Sequence, residues 1–221
     1  MVANPLLPLL LGAVFLLGAG GKALASADVQ VVARRAADLV SVHAQATLQA
    51  PLAVVWDTLT DYERLPEFIP GIKRSRVLAR TGTTTTIEQS GEARFLFLTV
   101  PVEVTLEATE HDSTIEVRRI AGTLRHLQGR YETSIVLADP PQMLLRWVGN
   151  VALEEDLPPL IAETVIRLQI EEQFAAMVKE IERREQARRQ ALPGRRDKNP
   201  SPNSAPASPA GRRGDFAGPQ R

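Results

Sequence analysis

From Val40 to Leu48 every even position is apolar and every odd one polar, the pattern of a strand with one face buried. Pro51 then suits a helix start, and Leu52, Val55, Trp56 and Leu59 recur at helical spacing. Asp61 is placed to cap the next turn, so that Tyr62, Leu65, Phe68 and Ile69 share one side of a short helical piece limited by Pro66 and Pro70. After Gly71 the period returns to two. Residues 72–80, 84–89, 93–109, 114–120, 124–137 and 142–151 read as six further strands, separated by turn signals such as Thr81-Gly82, His111-Asp112-Ser113 and Asp139-Pro140-Pro141. Connections this short require antiparallel neighbours. The clearest alternation sets Val100, Val102, Val104, Leu106 and Ala108 against Glu103, Thr105 and Glu107, and Pro101 within it predicts a sheet edge or a bulge.

Asp156, with Pro158 and Pro159 behind it, opens the last element, whose helical periodicity runs to about Gln190. Ile161, Val165, Ile166, Leu168, Ile170, Phe174, Met177, Val178 and Ile181 form a wide apolar stripe. Beyond Ile181 the sequence Glu-Arg-Arg-Glu-Gln-Ala-Arg-Arg is nearly all polar, which predicts a helix end projecting into solvent. The fold expected is α+β: a curved antiparallel seven-stranded sheet around a long C-terminal helix, with two short helices after the first strand.

The ends of the chain change the picture outside this domain. Residues 1–21 carry no charge, their leucine-rich core is too short to span a bilayer, and Ala23-Leu24-Ala25 and Ala25-Ser26-Ala27 fit a small-x-small cleavage site. Residues 1–27 therefore read as a cleaved secretory signal and the protein as periplasmic or secreted. The missing Lys or Arg ahead of the apolar run leaves an uncleaved N-terminal anchor as the alternative. With no cysteine there is no disulfide framework, no lipid-bearing cysteine and no thiol catalysis. Residues 190–221 are rich in Pro, Ser, Gly, Ala and Arg and read as a disordered tail. The net charge of zero conceals a division, since residues 28–189 hold 19 Lys and Arg against 24 Asp and Glu, and residues 190–221 hold 6 against 2. An acidic domain disfavours nucleic acid, and the basic tail offers at most weak contact with an anionic membrane surface. Residues 28–189 are left as one domain able to bury its own core.

Ala50-Pro51-Leu52-Ala53-Val54-Val55-Trp56-Asp57-Thr58-Leu59-Thr60-Asp61-Tyr62-Glu63-Arg64-Leu65-Pro66-Glu67-Phe68-Ile69-Pro70-Gly71 resembles the signature of the START-like (SRPBCC) polyketide cyclase/dehydrase and coenzyme Q-binding family. The order of elements is similar over roughly residues 38–185. Gly129-x-Tyr131 resembles that family's Gly-x-aromatic on a late strand, with Tyr131 where Trp is more usual. The resemblance implies a helix-grip fold, in which the long helix closes a cavity against the concave sheet. Tyr62, Phe68 and Ile69 would then lie at its mouth, as a gate for a hydrophobic ligand or as a plug for the end of the core. Val102, Val104, Leu106 and Val117 from the sheet and Ile170 and Phe174 from the helix would line it.

Candidate chemistry within that frame is sparse. His43 falls on the polar side of its strand, His111 in a turn, and His126 opposite to Gly129 and Tyr131, so no metal-ligand spacing arises and no metal or cofactor is expected. Phosphate-binding glycine loops and a nucleophile elbow are also lacking. Counting from Ile115 and Val117 places Arg119 on the apolar side and Ile120 outside. There Arg119 would orient a ligand carboxylate, phosphate or quinone oxygen, or else reach solvent as a strand-end cation. Tyr131 and Trp147 are either ligand contacts or plain core.

Three functions remain open at this level. The first is an exported binding protein for a lipid, an isoprenoid quinone or a polyketide-like molecule, predicting an apolar cavity with only one or two polar groups. The second is a cyclase or dehydratase acting on such a molecule, needing inward-facing pairs of titratable groups. The third is an envelope interaction protein whose core is filled by its own side chains.

Overall fold

The computed structural model describes residues 28–95, 98–153 and 158–192. The expected signal sequence, Asp156 and the basic tail lie outside the described residues. Eight strands form one antiparallel sheet: β1 (Gln30–Ala36), β2 (Leu39–Leu48), β3 (Ile72–Thr81), β4 (Thr84–Phe95), β5 (Leu98–Glu110), β6 (Thr114–Gly122), β7 (Leu124–Leu137) and β8 (Gln142–Leu153). Their order across the sheet is β1-β2-β8-β7-β6-β5-β4-β3. Between β2 and β3 lie α1 (Leu52–Leu59), a single 3₁₀ turn (Tyr62–Arg64) and α2 (Leu65–Phe68), and α3 (Pro159–Ala191) closes the order. This is the expected helix-grip arrangement with one strand more than the seven predicted.

The extra strand is β1. Its sequence, Gln-Val-Val-Ala-Arg-Arg-Ala, places like residues side by side, and Val32 is 52% exposed. No alternation betrays it, because an edge strand buries only part of one face. It joins β2 through a tight hairpin in which Ala36 pairs with Leu39 and Ala37 takes a positive φ of 53°. A second difference concerns residues 93–109, expected as one strand. Ala93, Arg94 and Phe95 belong to β4, where they pair with Val100, Thr99 and Leu98 of β5. Between them the sequence has no Gly, Pro, Asn or Asp to mark a turn. Pro101 falls on the part of β5 that β6 does not reach, since their pairing starts only at Val104.

The core joins the inner face of the sheet to α3. Ala44, Ala46 and Leu48 of β2, Met143 and Leu145 of β8, and Phe174, Met177, Val178 and Ile181 of α3 are buried together. Nearer the start of the helix, Val40, Val42, Val151 and Ile166 make a second cluster with Val31 and Ala33 of β1 packed against it. The buried stripe of α3 is narrower than expected, as Ile161 and Leu168 are each 38% exposed.

The polar end of α3 is exposed from residue 186 onward, as expected, but Arg184 and Glu185 before it are turned to the domain. Arg184 donates to Glu180 Oε1 at 2.7 Å and to Asp61 Oδ2 at 2.8 Å, and its guanidinium lies 5.3 Å from the centroid of the Phe68 ring. Asp61 thus serves as an ion-pair partner for α3 and makes no side-chain cap. One turn further on, Glu185, 2% exposed, accepts from Arg188 and Arg189, and Arg189 also reaches the carbonyl of Gln49 at 2.9 Å. Burial alone would raise the Glu185 carboxyl, but hydrogen bonds from Arg188 and Arg189 more than offset it and hold it below its ordinary value. For Glu180, hydrogen bonding from Arg183 leads, and the carboxyl is held down at about 2.

Two outcomes are expected for stability. Leu145 is fully buried, so Leu145→Ala should cost about 2–5 kcal/mol in urea unfolding. Glu180 binds its proton less tightly folded than at the ordinary value of 4.5. Its contribution is therefore complete above that value and lost as pH falls towards 2. Glu180→Gln should lower Tm at neutral pH and lose less Tm than the native chain between pH 4.5 and 2.

Candidate functional site

Helix α3 packs chiefly on β1 and β2, at one side of the sheet. The curve of the sheet brings β4 back to the helix. Between these contacts the short side chains Val102, Val104 and Ala108 of β5 and Val117 of β6 leave a gap unfilled. The result is a cavity of about 260 Å³. That is slightly below the usual lower bound of roughly 300 Å³ for small-molecule pockets, so the space suits a slender chain or a compact ring system.

The sheet supplies its floor through β5, Val117, Leu127 and Tyr131 of β7, and Trp147, Val151 and Leu153 of β8. Val165, Ile166, Ile170, Phe174 and Met177 of α3 form the roof, and Leu59, Tyr62, Leu65 and Ile69 close one side. Of the residues singled out from the sequence, Tyr62, Ile69, Val102, Val104, Leu106, Val117, Tyr131, Trp147, Ile170 and Phe174 line this space. Phe68 and Arg119 do not.

Phe68 packs instead against the main core outside the cavity, with the Arg184 guanidinium over its ring. Arg119 pairs with Leu106 and keeps the inner-side parity counted from Ile115 and Val117; a bulge follows it, since Thr105 pairs with Ala121 and Ile120 is the extra residue. The strand end bends, and Arg119 Nη2 donates to the carbonyl of Gly122 at 2.8 Å. Its Nε is buried without a partner among the described residues.

Several lining residues were not expected. Gln89 and Ser90 of β4 and Gln169 and Gln173 of α3 form a polar margin beside Gly71 and Gly91. The helix pair was open to discovery, since Gln169 and Gln173 stand one turn apart beside the apolar stripe. The margin is held by a close crossing of two backbones. Gly71 has φ +82°, its carbonyl accepts from the N–H of Glu92 at 2.8 Å, and a Cβ on Gly91 would lie 1.9 Å from that same oxygen. Gln173 Nε2 donates to Pro70 O at 3.2 Å, tying the helix to the end of the proline-rich segment. Glu92 is the charged residue lining the cavity among the described residues, and Lys73 and Arg94 pair with it from the solvent side.

The opposite end is aromatic. Tyr131 and Trp147 face each other across β7 and β8, with ring centroids 4.7 Å apart and planes tilted by 50°. The indole lies over a flat patch made by the paired glycines Gly129 and Gly149. A Cβ on Gly129 would come within 2.7 Å of the ring, and one on Gly149 within 2.9 Å. This gives the Gly129-x-Tyr131 pattern a physical reason. Trp147 is 7% exposed, and its Nε1 has no hydrogen-bond partner among the described residues. Tyr62 donates to Glu110 Oε1 at 3.3 Å; burial first, then the charge of Glu110, raises its hydroxyl far above the ordinary value. Burial likewise pushes Tyr131 up to about 12. Both phenols therefore stay protonated in the physiological range.

Chemically, the arrangement can surround an apolar body and offer it a few neutral hydrogen-bonding groups. Among the described residues no cluster of acids and histidines is able to hold a metal ion.

Comparison with known proteins agrees with this geometry. The profile of the family described as polyketide cyclase/dehydrase and lipid transport matches residues 48–178. Among solved structures, the ZhuI aromatase/cyclase of Streptomyces sp. R1128 superposes with a TM-score of 0.59 at 15% identity, covering 71% of this chain and 99% of that one. A STAR-related lipid transfer protein of Xanthomonas axonopodis gives 0.57 at 13%, covering 69% and 93%. The human StarD13 lipid transfer and protein localization domain gives 0.55 at 14%, covering 72% and 84%. Identities this low establish a shared fold and nothing finer. The search of curated proteins found no match. With more than half of its length matched by the family profile and a helix-grip fold around an apolar cavity, the chain belongs to the START-like polyketide cyclase/dehydrase and lipid transport family.

Proposed function

We propose that the protein is an exported carrier for a hydrophobic small molecule, held between the sheet and α3. The observation that carries this reading is the cavity of about 260 Å³ with walls of aliphatic and aromatic side chains. Apolar area removed from water there supplies roughly 25 cal/mol per Å², enough to hold a ligand with little polar recognition. Carriage is favoured over catalysis by the state of the charged groups. Glu92, the ionisable acid on the lining, is already paired with Lys73 and Arg94, and both tyrosines are driven away from acting as bases. Export rests on the sequence of residues 1–27. Weak contact of the Arg-rich tail with an anionic membrane would keep such a carrier near its lipid source.

Purified protein should bind the neutral fluorophore N-phenyl-1-naphthylamine with a blue-shifted emission. Native mass spectrometry of material from the cell envelope should release a reproducible apolar species. Val117→Trp, which fills the hollow from β6, should weaken fluorophore binding at least about tenfold while Tm falls little. Failure of the native chain to bind the fluorophore would remove the carrier reading. In cells making the full chain, the envelope fraction should contain a form shortened by about 25–27 residues, read by intact mass.

A further inference from the structure

The carrier reading leaves open what the far end of the cavity recognises, and the answer lies in how its polar groups are spent. At the Gly91 end the polar margin is engaged: Gln173 donates to Pro70, and Glu92 is paired with Lys73 and Arg94. Val102 pairs with Gly91 at that end, and eight residues further along β5 Glu110 marks the other. There Glu110 accepts from Tyr62, and Tyr131 stands on β7 opposite Ile115, the β6 partner of Glu110.

Tyr131 lines the cavity, yet its hydroxyl has no hydrogen-bond partner among the described residues, and it is not among the polar atoms sealed from contact. A deep phenol with an unused donor and acceptor costs free energy unless something in the cavity meets it. The surrounding charge decides what that is. No cation lines the cavity among the described residues, because Arg119 is turned to Gly122. The Glu110 carboxylate at this end is taken up by the Tyr62 hydroxyl, and burial alone accounts for the raised Tyr131 phenol, with no cation beside it. A carboxylate or phosphate brought here would be buried without compensation.

We infer that the ligand carries one uncharged oxygen, an alcohol or a carbonyl, which hydrogen-bonds to the Tyr131 hydroxyl at the Glu110 end of the cavity, while its apolar body fills the space towards Gly91. The inference rests on the carrier reading and narrows it to neutral oxygenated hydrophobes, setting aside fatty acids and phospholipid headgroups as the buried end. Tyr131 acts as a specificity determinant, donating to a carbonyl or exchanging donor and acceptor roles with an alcohol. Because burial keeps it protonated, this recognition is constant across the physiological pH range.

The test displaces N-phenyl-1-naphthylamine from the full domain with three ligands of one two-ring skeleton: naphthalene, 2-naphthol and 2-naphthoate. In the native protein 2-naphthol should bind about 2- to 10-fold more tightly than naphthalene, and 2-naphthoate at least about tenfold more weakly than 2-naphthol. Tyr131→Phe should abolish the preference for 2-naphthol over naphthalene, with an unchanged cooperative thermal transition showing that the variant is folded. Equal binding of naphthalene and 2-naphthol by the native protein, or tightest binding of 2-naphthoate, would overturn the inference, and neither result needs the variant. A preference for 2-naphthol that survives in Tyr131→Phe would overturn the part assigned to Tyr131. Binding of the fluorophore in all these cases keeps the carrier reading standing, so the two fail separately.

Discussion

Everything in this molecule depends on where α3 is seated. It lies on β1 and β2 because Ala44 and Ala46 are small enough to let a helix bearing Phe174, Met177 and Val178 come close. The curved sheet meets the same helix again at β4, near its far edge. The cavity is what remains between these contacts, where β5 and β6 present valines and an alanine that do not reach the roof. Larger side chains at those positions would have produced a filled core on the same backbone, as interiors otherwise pack to near-crystalline density.

The seat is secured at both ends by different means. Toward the start of the helix the contact is apolar, through Ile166 on Val40, Val42 and Val151. Toward its end the contact is ionic, with Glu180 and Glu185 buried and each satisfied by two arginines. Burying a carboxylate is costly unless its lone pairs are used, and these are. Arg184 carries the arrangement across to Asp61 and the Phe68 ring, so the segment that closes one side of the cavity is tied to the helix that roofs it. Tyr62, Leu65 and Ile69 are thereby presented inward from a segment whose outward residues are spent on anchoring.

Glycine does the corresponding work on the sheet. Gly91 allows the chain after α2 to cross β4 in direct backbone contact, and the Gly129–Gly149 pair makes room for an indole to lie flat. The first sets one margin of the cavity and the second sets the aromatic wall at the other. Both are places where a single methyl group would displace a neighbour needed for the shape of the hollow.

Periodicity was enough to determine the class of fold. Alternation from Val40 to Leu48 and through the later strands, the proline-limited turn at residues 61–70 and the long apolar stripe of α3 are local signals, and each survives in the structure because burial of one face selects the same spacing. Ten of the twelve residues singled out lie on the cavity for the same reason, since facing inward is a parity that can be counted along a strand. What could not be counted was decided by tertiary contact. β1 has no alternation because it is held from one side only. Arg119 takes the inner-side parity counted for it, yet its guanidinium is engaged by the Gly122 carbonyl beyond a bulge at Ile120, and such an extra residue leaves no mark in composition. The polar end of α3 is solvent-facing as read over residues 186–192, but Arg184 and Arg189 find partners 123 and 140 residues earlier, in Asp61 and Gln49, which no local pattern records. Local spacing records which face a side chain takes; how far apart two faces stand, and which distant charge meets which, exists only once the chain has closed on itself.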